Sequence, residues 1–541
     1  MSRIDLRAAI TSALVAVLLT GCMVGPKYQK PPAMAQAPPA TYKESPGAAQ
    51  PANGTAASAT QASATQTGAT ATNTATNGTA ASGTTGAQAA GAGEWKVAQP
   101  EDAMLKGKWW EIYGDNELNA LEEKLAIDNQ TIKQYFANFM EARALVGEAR
   151  AQLYPTLSTG PSYARSQASA NVGTTANRTQ SDLTTLPLDA SWEPDLWGRV
   201  RNQIKAQQYN AQVSAADLEG ERLTEQASLA EYFFEIRGQD ALQAVLNQTV
   251  ADDKKALELT RSQYDTGVGD EISVVEAENT LQNAQAASIN LGVARAQYEH
   301  AIAVLIGTDP SSFSIPVKAL DAAPPAVPIG VPSQLLERRP DIAASERTMA
   351  EANAEIGVAQ AAYYPTLTLS AGGGLESSTL KHLFDWPSRY WSVGPSVSET
   401  IYDGGLRRAT VRQYTAIYNS DVAGYRQTVL TAFQQVEDAL AAERILSQQM
   451  VQQQMAAQSA QKFVDLETAR YETGVDPYID VVTAQETLLT DQQALATLHT
   501  EEMTASVQLI EALGGGWDSS QLATPEAITK KLTAAETTIQ K

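Results

Sequence analysis

Tyr264-Asp265-Thr266-Gly267-Val268 returns 207 residues later as Tyr471-Glu472-Thr473-Gly474-Val475. The echo runs on through Ile272/Ile479, Val274/Val481, Val275/Val482, Ala277/Ala484, Thr280/Thr487 and Leu281/Leu488. Ten of eighteen positions are identical without a gap. A second echo sets Tyr154-Pro155-Thr156-Leu157 against Tyr364-Pro365-Thr366-Leu367, and a weaker third sets Leu196-Trp197-Gly198 beside Ile401-Tyr402-Asp403-Gly404. Three echoes in one order, at similar offsets, mean a duplicated unit of about 200 residues, far longer than a solenoid repeat. The 541 residues suggest about three or four domains by length alone. The duplication replaces that expectation with two copies of one architecture.

Each copy reads helix, strand, strand, helix. Asn116 to Leu153 carries no proline and is rich in Glu, Lys, Ala, Leu and Gln, which predicts a helix; Pro155 stops it. Leu186 to Glu193 alternates apolar and other residues, as a half-buried strand does, and Thr156 to Ser166 is a weaker partner. The second copy repeats the period with Leu367, Leu369 and Ala371, then Trp391, Val393, Pro395 and Val397. Pro161, Pro187 and Pro395 count against central strands of an ordinary sheet. Alternating strands of about 9–11 residues with aromatics near one end suit a transmembrane barrel; a pair of soluble hairpins is the other reading. In the barrel reading Trp192, Trp197, Trp391 and Tyr402 form part of an interfacial girdle. Four strands close no barrel, so several chains must share one, and three chains give twelve strands.

A proline-free run follows each hairpin, Arg199 to Gln263 and Leu406 to Arg470. Either one, unbroken, is about 100 Å long, a length that crosses a compartment rather than filling a domain. Val422, Tyr425, Val429, Phe433, Val436 and Leu440 make a coiled-coil-like seam, and the opposite side is rich in Gln, Glu and Asp. Such a helix needs lateral neighbours, and a tube of helices with water on both faces satisfies it.

The N-terminus is an address. Arg3 and Arg7 precede an apolar run from Ala8 to Leu19, too short to span a bilayer and suited to a secretory signal. The run ends Leu19-Thr20-Gly21-Cys22, which resembles the bacterial lipobox, and Cys22 is the chain's single cysteine. The resemblance makes Cys22 the lipidated first residue of the mature protein. Met23, where an Asp would signal inner-membrane retention, favours the outer membrane. Ser45 to Gly93 has no charged residue, no Val, Ile or Leu and no aromatic, so it reads as a flexible tether. The expected organisation is signal 1–21, lipidated segment 22–44, tether 45–93, first repeat 94–306, Pro-rich linker 307–332, second repeat 333–514 and C-terminal segment 515–541.

Charge and motifs narrow the function classes. Lys plus Arg total 39 against 61 Asp plus Glu, a net charge of −22 that argues against nucleic acid as a partner. One cysteine allows no intrachain disulfide and no thiolate metal cage, and three scattered histidines form no cluster. No GxxxxGK[ST], GxSxG, HExxH or EF-hand pattern occurs. The chain therefore reads as a non-enzyme with no cofactor and no metal. Energy for any transport comes from a partner.

Together these residues resemble the outer-membrane efflux factor (TolC-like) family, in the lipoprotein branch of RND-type tripartite systems. The resemblance covers nearly the whole mature chain outside the tether. Its motifs are Cys22 to Pro32, Trp109 to Leu121, Trp192 to Arg199, both tip repeats, and Leu335 to Leu367, where LLERRPDIAASE and AAYYPTL stand out. It implies a mainly α fold with a small β part. A homotrimer would form a twelve-stranded outer-membrane barrel, continuous with a periplasmic α-helical tunnel and an equatorial domain. It implies an exit duct serving a periplasmic adaptor (membrane fusion) protein and, through it, an inner-membrane RND-type pump. A type I protein-secretion duct and a non-channel periplasmic lipoprotein are the alternatives. The adaptor would dock at Gly267-Val268 and Gly474-Val475; simple helix capping is the bland account of both glycines. The periplasmic aperture would involve Asp480 and Glu276 as acidic ring residues, Ile479 as an apolar constriction and Tyr471 as a latch. Thr483 and Asp476 stand where the family has an aspartate and a basic latch residue. For Asp480 and Glu276 a solvated helix-turn acid is the competing account.

Overall fold

The computed structural model describes residues 23–34, 41–44, 107–167, 169, 180–320, 322–330 and 332–529. Cys22 and the 45–93 tether lie outside them. The duplication is visible as matched helix lengths. The first repeat carries α1 (Asn116–Asp128), α2 (Gln130–Ala151, 22 residues), α3 (Arg199–Asp265, 67 residues) and α4 (Glu271–Leu305, 35 residues). The second carries α5 (Pro340–Ala361, 22 residues), α6 (Leu406–Glu472, 67 residues) and α7 (Tyr478–Ala512, 35 residues). At 1.5 Å per residue the two long helices run about 100 Å. Each is flanked by the shorter helices of its own repeat; α3 also packs on α5 and α7.

The helix expected over Asn116–Leu153 is two helices. Asn129 breaks it: its side chain accepts from Ile132 N at 2.8 Å and donates to Leu305 O at 2.9 Å, so a tertiary contact is preferred to helix continuation. Asp115 caps α1 by accepting from Glu117 N and Leu118 N.

The strands form one antiparallel sheet rather than two hairpins. β1 (Thr156–Ser158) and β2 (Ser162–Gln167) both pair with β3 (Gln180–Trp192), β3 pairs with β4 (Thr366–Ser377), and β4 pairs with β5 (Arg389–Ser398). β1 and β2 are one stave interrupted at Thr159–Pro161, so the sheet has four staves built from five segments. Pro187 sits in the central β3, contrary to the expectation for prolines. It is tolerated because Gly374 faces it in register, with Gly373 and Gly372 beside it. A Cβ on Gly374 would lie 3.0 Å from Pro187 Cα and closer still to Leu186 O. Among the described residues both outer staves present unpaired edges, which in lipid must be closed by further strands.

The core sits at the waist. Val429 and Val436 of the predicted seam are fully buried, with Tyr425 and Leu440 beside them and Val422 and Phe433 packed on the same cluster. Trp109, Phe233, Ile302, Ile342 and Val507 complete it. Helices approach closely through small residues: a Cβ on Gly238 of α3 would lie 2.9 Å from Thr500 Cγ2 of α7 and nearer to Oγ1.

The described N-terminal residues run down this helical wall. Val24 N donates to Trp197 O at 2.9 Å, Asn202 Nδ2 to Val24 O at 2.7 Å, and Asn353 Nδ2 to Pro26 O at 3.1 Å. Tyr42 is buried in the waist cluster, and Glu44 pairs with Arg444 at 2.6 Å. Residues 515–529 dock as well: Trp517 packs with Ala216, Ala343 and Ala344, and Ile528 with Ala142, Val146 and Ala211.

Candidate functional site

The two helix pairs end in matched turns. Val268 N donates to Gln263 O and Gly267 N to Tyr264 O; Val475 N donates to Arg470 O and Gly474 N to Tyr471 O, all at 2.9 Å. This is the pattern of a helix closed by a left-handed residue, and Gly267 and Gly474 have φ of 75° and 73°. Positive φ is the reason for glycine at both positions. No atom lies within 4 Å of a Cβ built there, so packing is not the reason. Val268 and Val475 project into open space, 82% and 64% exposed.

The residues around the second tip divide into three groups. Ile479, Asp480 and Thr483 are exposed along the start of α7, opposite the buried Tyr478, Val481 and Val482. Asp476 is held by Arg470, whose Nη2 lies 2.9 Å from its Oδ1 and whose Nε forms a second bond. That guanidinium keeps the Asp476 carboxyl below the usual range. Carboxylate oxygens of Glu467, Asp476 and Asp480 lie within 4.8 Å of one another, so Arg470 offsets a local excess of negative charge. Tyr471 faces the other way: its hydroxyl donates to Gln263 Oε1 of α3, tying the second tip to the first. Its ring lies 5.3 Å from that of Tyr478, which is 3% exposed. Burial pushes the Tyr478 phenol up to about 12, with help from the nearby charges of Asp253 and Glu276. Glu276, on α4, is outside the cluster that Asp480 forms with Glu467 and Asp476.

Gln263, Arg470 and Tyr478 were not singled out from the sequence. Tyr478 carried one signal: an aromatic ring stands where the first repeat has Glu271.

At the opposite end the aromatics split in two. Trp192 Nε1 donates to Leu153 O at 2.9 Å, and Trp197 Nε1 to Pro365 O at 2.8 Å while its ring stacks on Tyr364. Both lock the junction between sheet and helices. Trp391 and Tyr402 are 81% and 88% exposed, and Trp391, Val393 and Val397 share one apolar face. Among the described residues no helix is long and apolar enough to cross a membrane.

Residues 121–308 and 331–515 match the family described as Outer membrane efflux protein. The probable efflux pump outer membrane protein TtgC of Pseudomonas putida is 30% identical over 419 residues, 77% of this chain and 86% of that protein. Outer membrane protein OprJ of Pseudomonas aeruginosa is 31% identical over 437 residues, 79% of this chain and 90% of that protein. Among solved structures, the outer-membrane channel OprN is similar with a TM-score of 0.72 at 28% identity, over 78% of this chain and 96% of that one. The outer membrane protein VceC of Vibrio cholerae gives 0.70 at 27% identity, over 76% of this chain and 99% of that one.

Proposed function

Because the chain belongs to the outer membrane efflux protein family, we propose that it is the passive exit duct of a tripartite efflux pump, carrying small molecules out through the outer membrane. One observation carries this reading: a four-stave sheet, unpaired at both edges among the described residues, is mounted on two helices of 67 residues each. β3, at about 3.3 Å per residue, is about 40 Å long and crosses a core of about 30 Å at a barrel's tilt. The helices extend the duct away from that membrane. Three copies close a twelve-stranded barrel and leave no free edge. Cys22 carries the lipid; in support, its neighbour Met23 is seated against Gly198, where a Cβ would lie 2.9 Å from Met23 Cα. An anchor there emerges beside the sheet.

A periplasmic adaptor docks at the exposed tips around Gly267-Val268 and Gly474-Val475, and an inner-membrane pump supplies the energy. Asp480, Ile479 and Thr483 line the aperture; Tyr471 latches it through Gln263. Glu276 contributes a second carboxylate, and Asp476, already neutralised by Arg470, holds the tip turn. The exposed Trp391 and Tyr402 and the junction Trp192 and Trp197 bracket the membrane.

Two measurements test this. Deleting the gene, in a host without a redundant duct, raises intracellular accumulation of pump substrates; unchanged accumulation refutes the duct. In a planar bilayer, replacing Asp480 and Glu276 together with Ala raises single-channel conductance; unaltered conductance removes them from the gate.

A further inference from the structure

Just above the tips, between the two helix pairs, lies a cavity of about 500 Å³. Its walls come from α3 on one side and from α6 and α7 on the other. Val464, Val481 and Leu488 supply an apolar part of them, Tyr471 and Tyr478 an aromatic part, and acids, glutamines and threonines the rest. Asp253 opens into this space. Asp253 is only 2% exposed, and its Oδ2 has no hydrogen-bond partner. The buried Oε1 of Gln485, also in the lining, is unpartnered too. Lys255 is the one cation among the lining residues, and it turns outward to pair with Asp252 at 2.9 Å.

A buried carboxyl without a counter-charge is costly when ionised. Burial, and secondarily the charge of Asp252, raise Asp253 to about 6. The cavity therefore lacks a positive charge that its chemistry would accept. An ammonium group entering it supplies that charge, its hydrocarbon body meets the Val464, Val481 and Leu488 side chains, and the tyrosine rings attract the cation. The volume falls within the range of small-molecule sites, about 300–1,000 Å³.

We propose that this cavity binds small aromatic organic cations, held by the Asp253 carboxylate and the Tyr471 and Tyr478 rings. Because the occupant touches both helix pairs, it joins them and holds the tip closed. This second half rests on the duct reading; the binding half does not.

Ethidium is a suitable probe, titrated by fluorescence against the purified full-length protein in detergent. Binding weakens about tenfold between pH 7.5 and pH 5, because protons compete for a carboxyl near 6. Asp253→Asn, which keeps the side-chain volume, binds at least about tenfold more weakly and loses the pH dependence. Asp252 and Lys255 of α3 and Asp465 and Glu472 of α6 also line the cavity, and the charge of Glu276 of α4 acts on Tyr478. The flat profile of Asp253→Asn separates Asp253 from all of these. Tyr478→Leu weakens binding without removing the pH dependence. Wild-type binding that is indifferent to pH, or equal affinity in Asp253→Asn, overturns the proposal. The wild-type pH profile carries the test even if a variant fails to fold. Absent ethidium binding also overturns it, and adaptor protein protecting Lys255→Cys, at a lining position whose side chain is 73% exposed, from labelling reassigns the groove to a protein. Ethidium lowers bilayer conductance if the duct reading holds. No conductance at all refutes the duct and leaves the binding result standing.

Discussion

Truncating Asp240 to Ala removes the centre of a buried ionic knot that fastens the inter-repeat linker to the waist. Asp240 Oδ1 accepts from Arg295 Nε at 2.7 Å, and Oδ2 accepts from Lys318 N at 2.9 Å. Arg237 Nη1 lies 3.5 Å from Oδ2, and the Arg237 and Asp240 side chains are 2% and 1% exposed. Removing one partner of a buried pair costs about 3–5 kcal/mol, because the remaining charge stays desolvated. Arg237 keeps Glu117 and the Pro316 carbonyl, and Arg295 keeps the Ile315 carbonyl, so the expected cost sits near the low end, about 3 kcal/mol. That loss raises the population of the locally opened linker by about 100-fold. Limited proteolysis within residues 307–332 reads this population when closing outpaces cleavage. Asp240→Asn keeps an acceptor for Lys318 N and gives an intermediate rate. A cleavage rate for Asp240→Ala within about threefold of the parent would refute the reasoning, since the knot would then add no local stability.

Gly238→Ala is expected to lower the melting temperature by pushing α3 from α7, and adding Thr500→Ala is expected to restore it, because the clashing atoms are Thr500 Oγ1 and Cγ2. Glu122 is fully buried and neither carboxyl oxygen has a hydrogen-bond partner. Burial holds its pKa well above the ordinary value in the folded chain, so its ionisation penalty is absent below about pH 4.5 and grows as pH rises above that. Glu122→Gln is therefore expected to stabilise at pH 8 and to be near neutral at pH 4.5, read as melting temperature at both pH values. Gly267→Val and Gly474→Val are each expected to cost about 1–2 kcal/mol through backbone strain alone, since open space surrounds both. Adaptor cross-linking that falls further than the same strain introduced at Gly114 (φ 65°), far in sequence from both tips, separates docking from capping.

Much of this architecture was legible because it rests on local rules and on repetition. The repeat of Tyr264–Leu281 at Tyr471–Leu488 announced two equivalent halves. Proline-free runs announced helices, and period-two alternation announced strands. The Val422–Leu440 seam named its own core, because spacing on one helix decides which side chains share a face. The positive-φ glycines of the tips were readable for the same reason.

Other features came from partners distant in the chain. Asn129 breaks a helix that composition would continue, because Leu305 O and Ile132 N need its amide. Pro187 enters a central strand because Gly374 happens to face it. Tyr471 bonds Gln263 across 208 residues, and Asp253 becomes a buried, unpartnered acid only once α6 and α7 close over α3. Hydrogen bonding and desolvation depend on three-dimensional neighbours, and one sequence does not reveal these. The sequence by itself determined the duplicated plan, the lengths of its two longest helices and the polarity of its strands. Only the tertiary structure decided how the halves merge into one open-edged sheet, which charges are knotted at the waist, and which acid faces the cavity beside the tips.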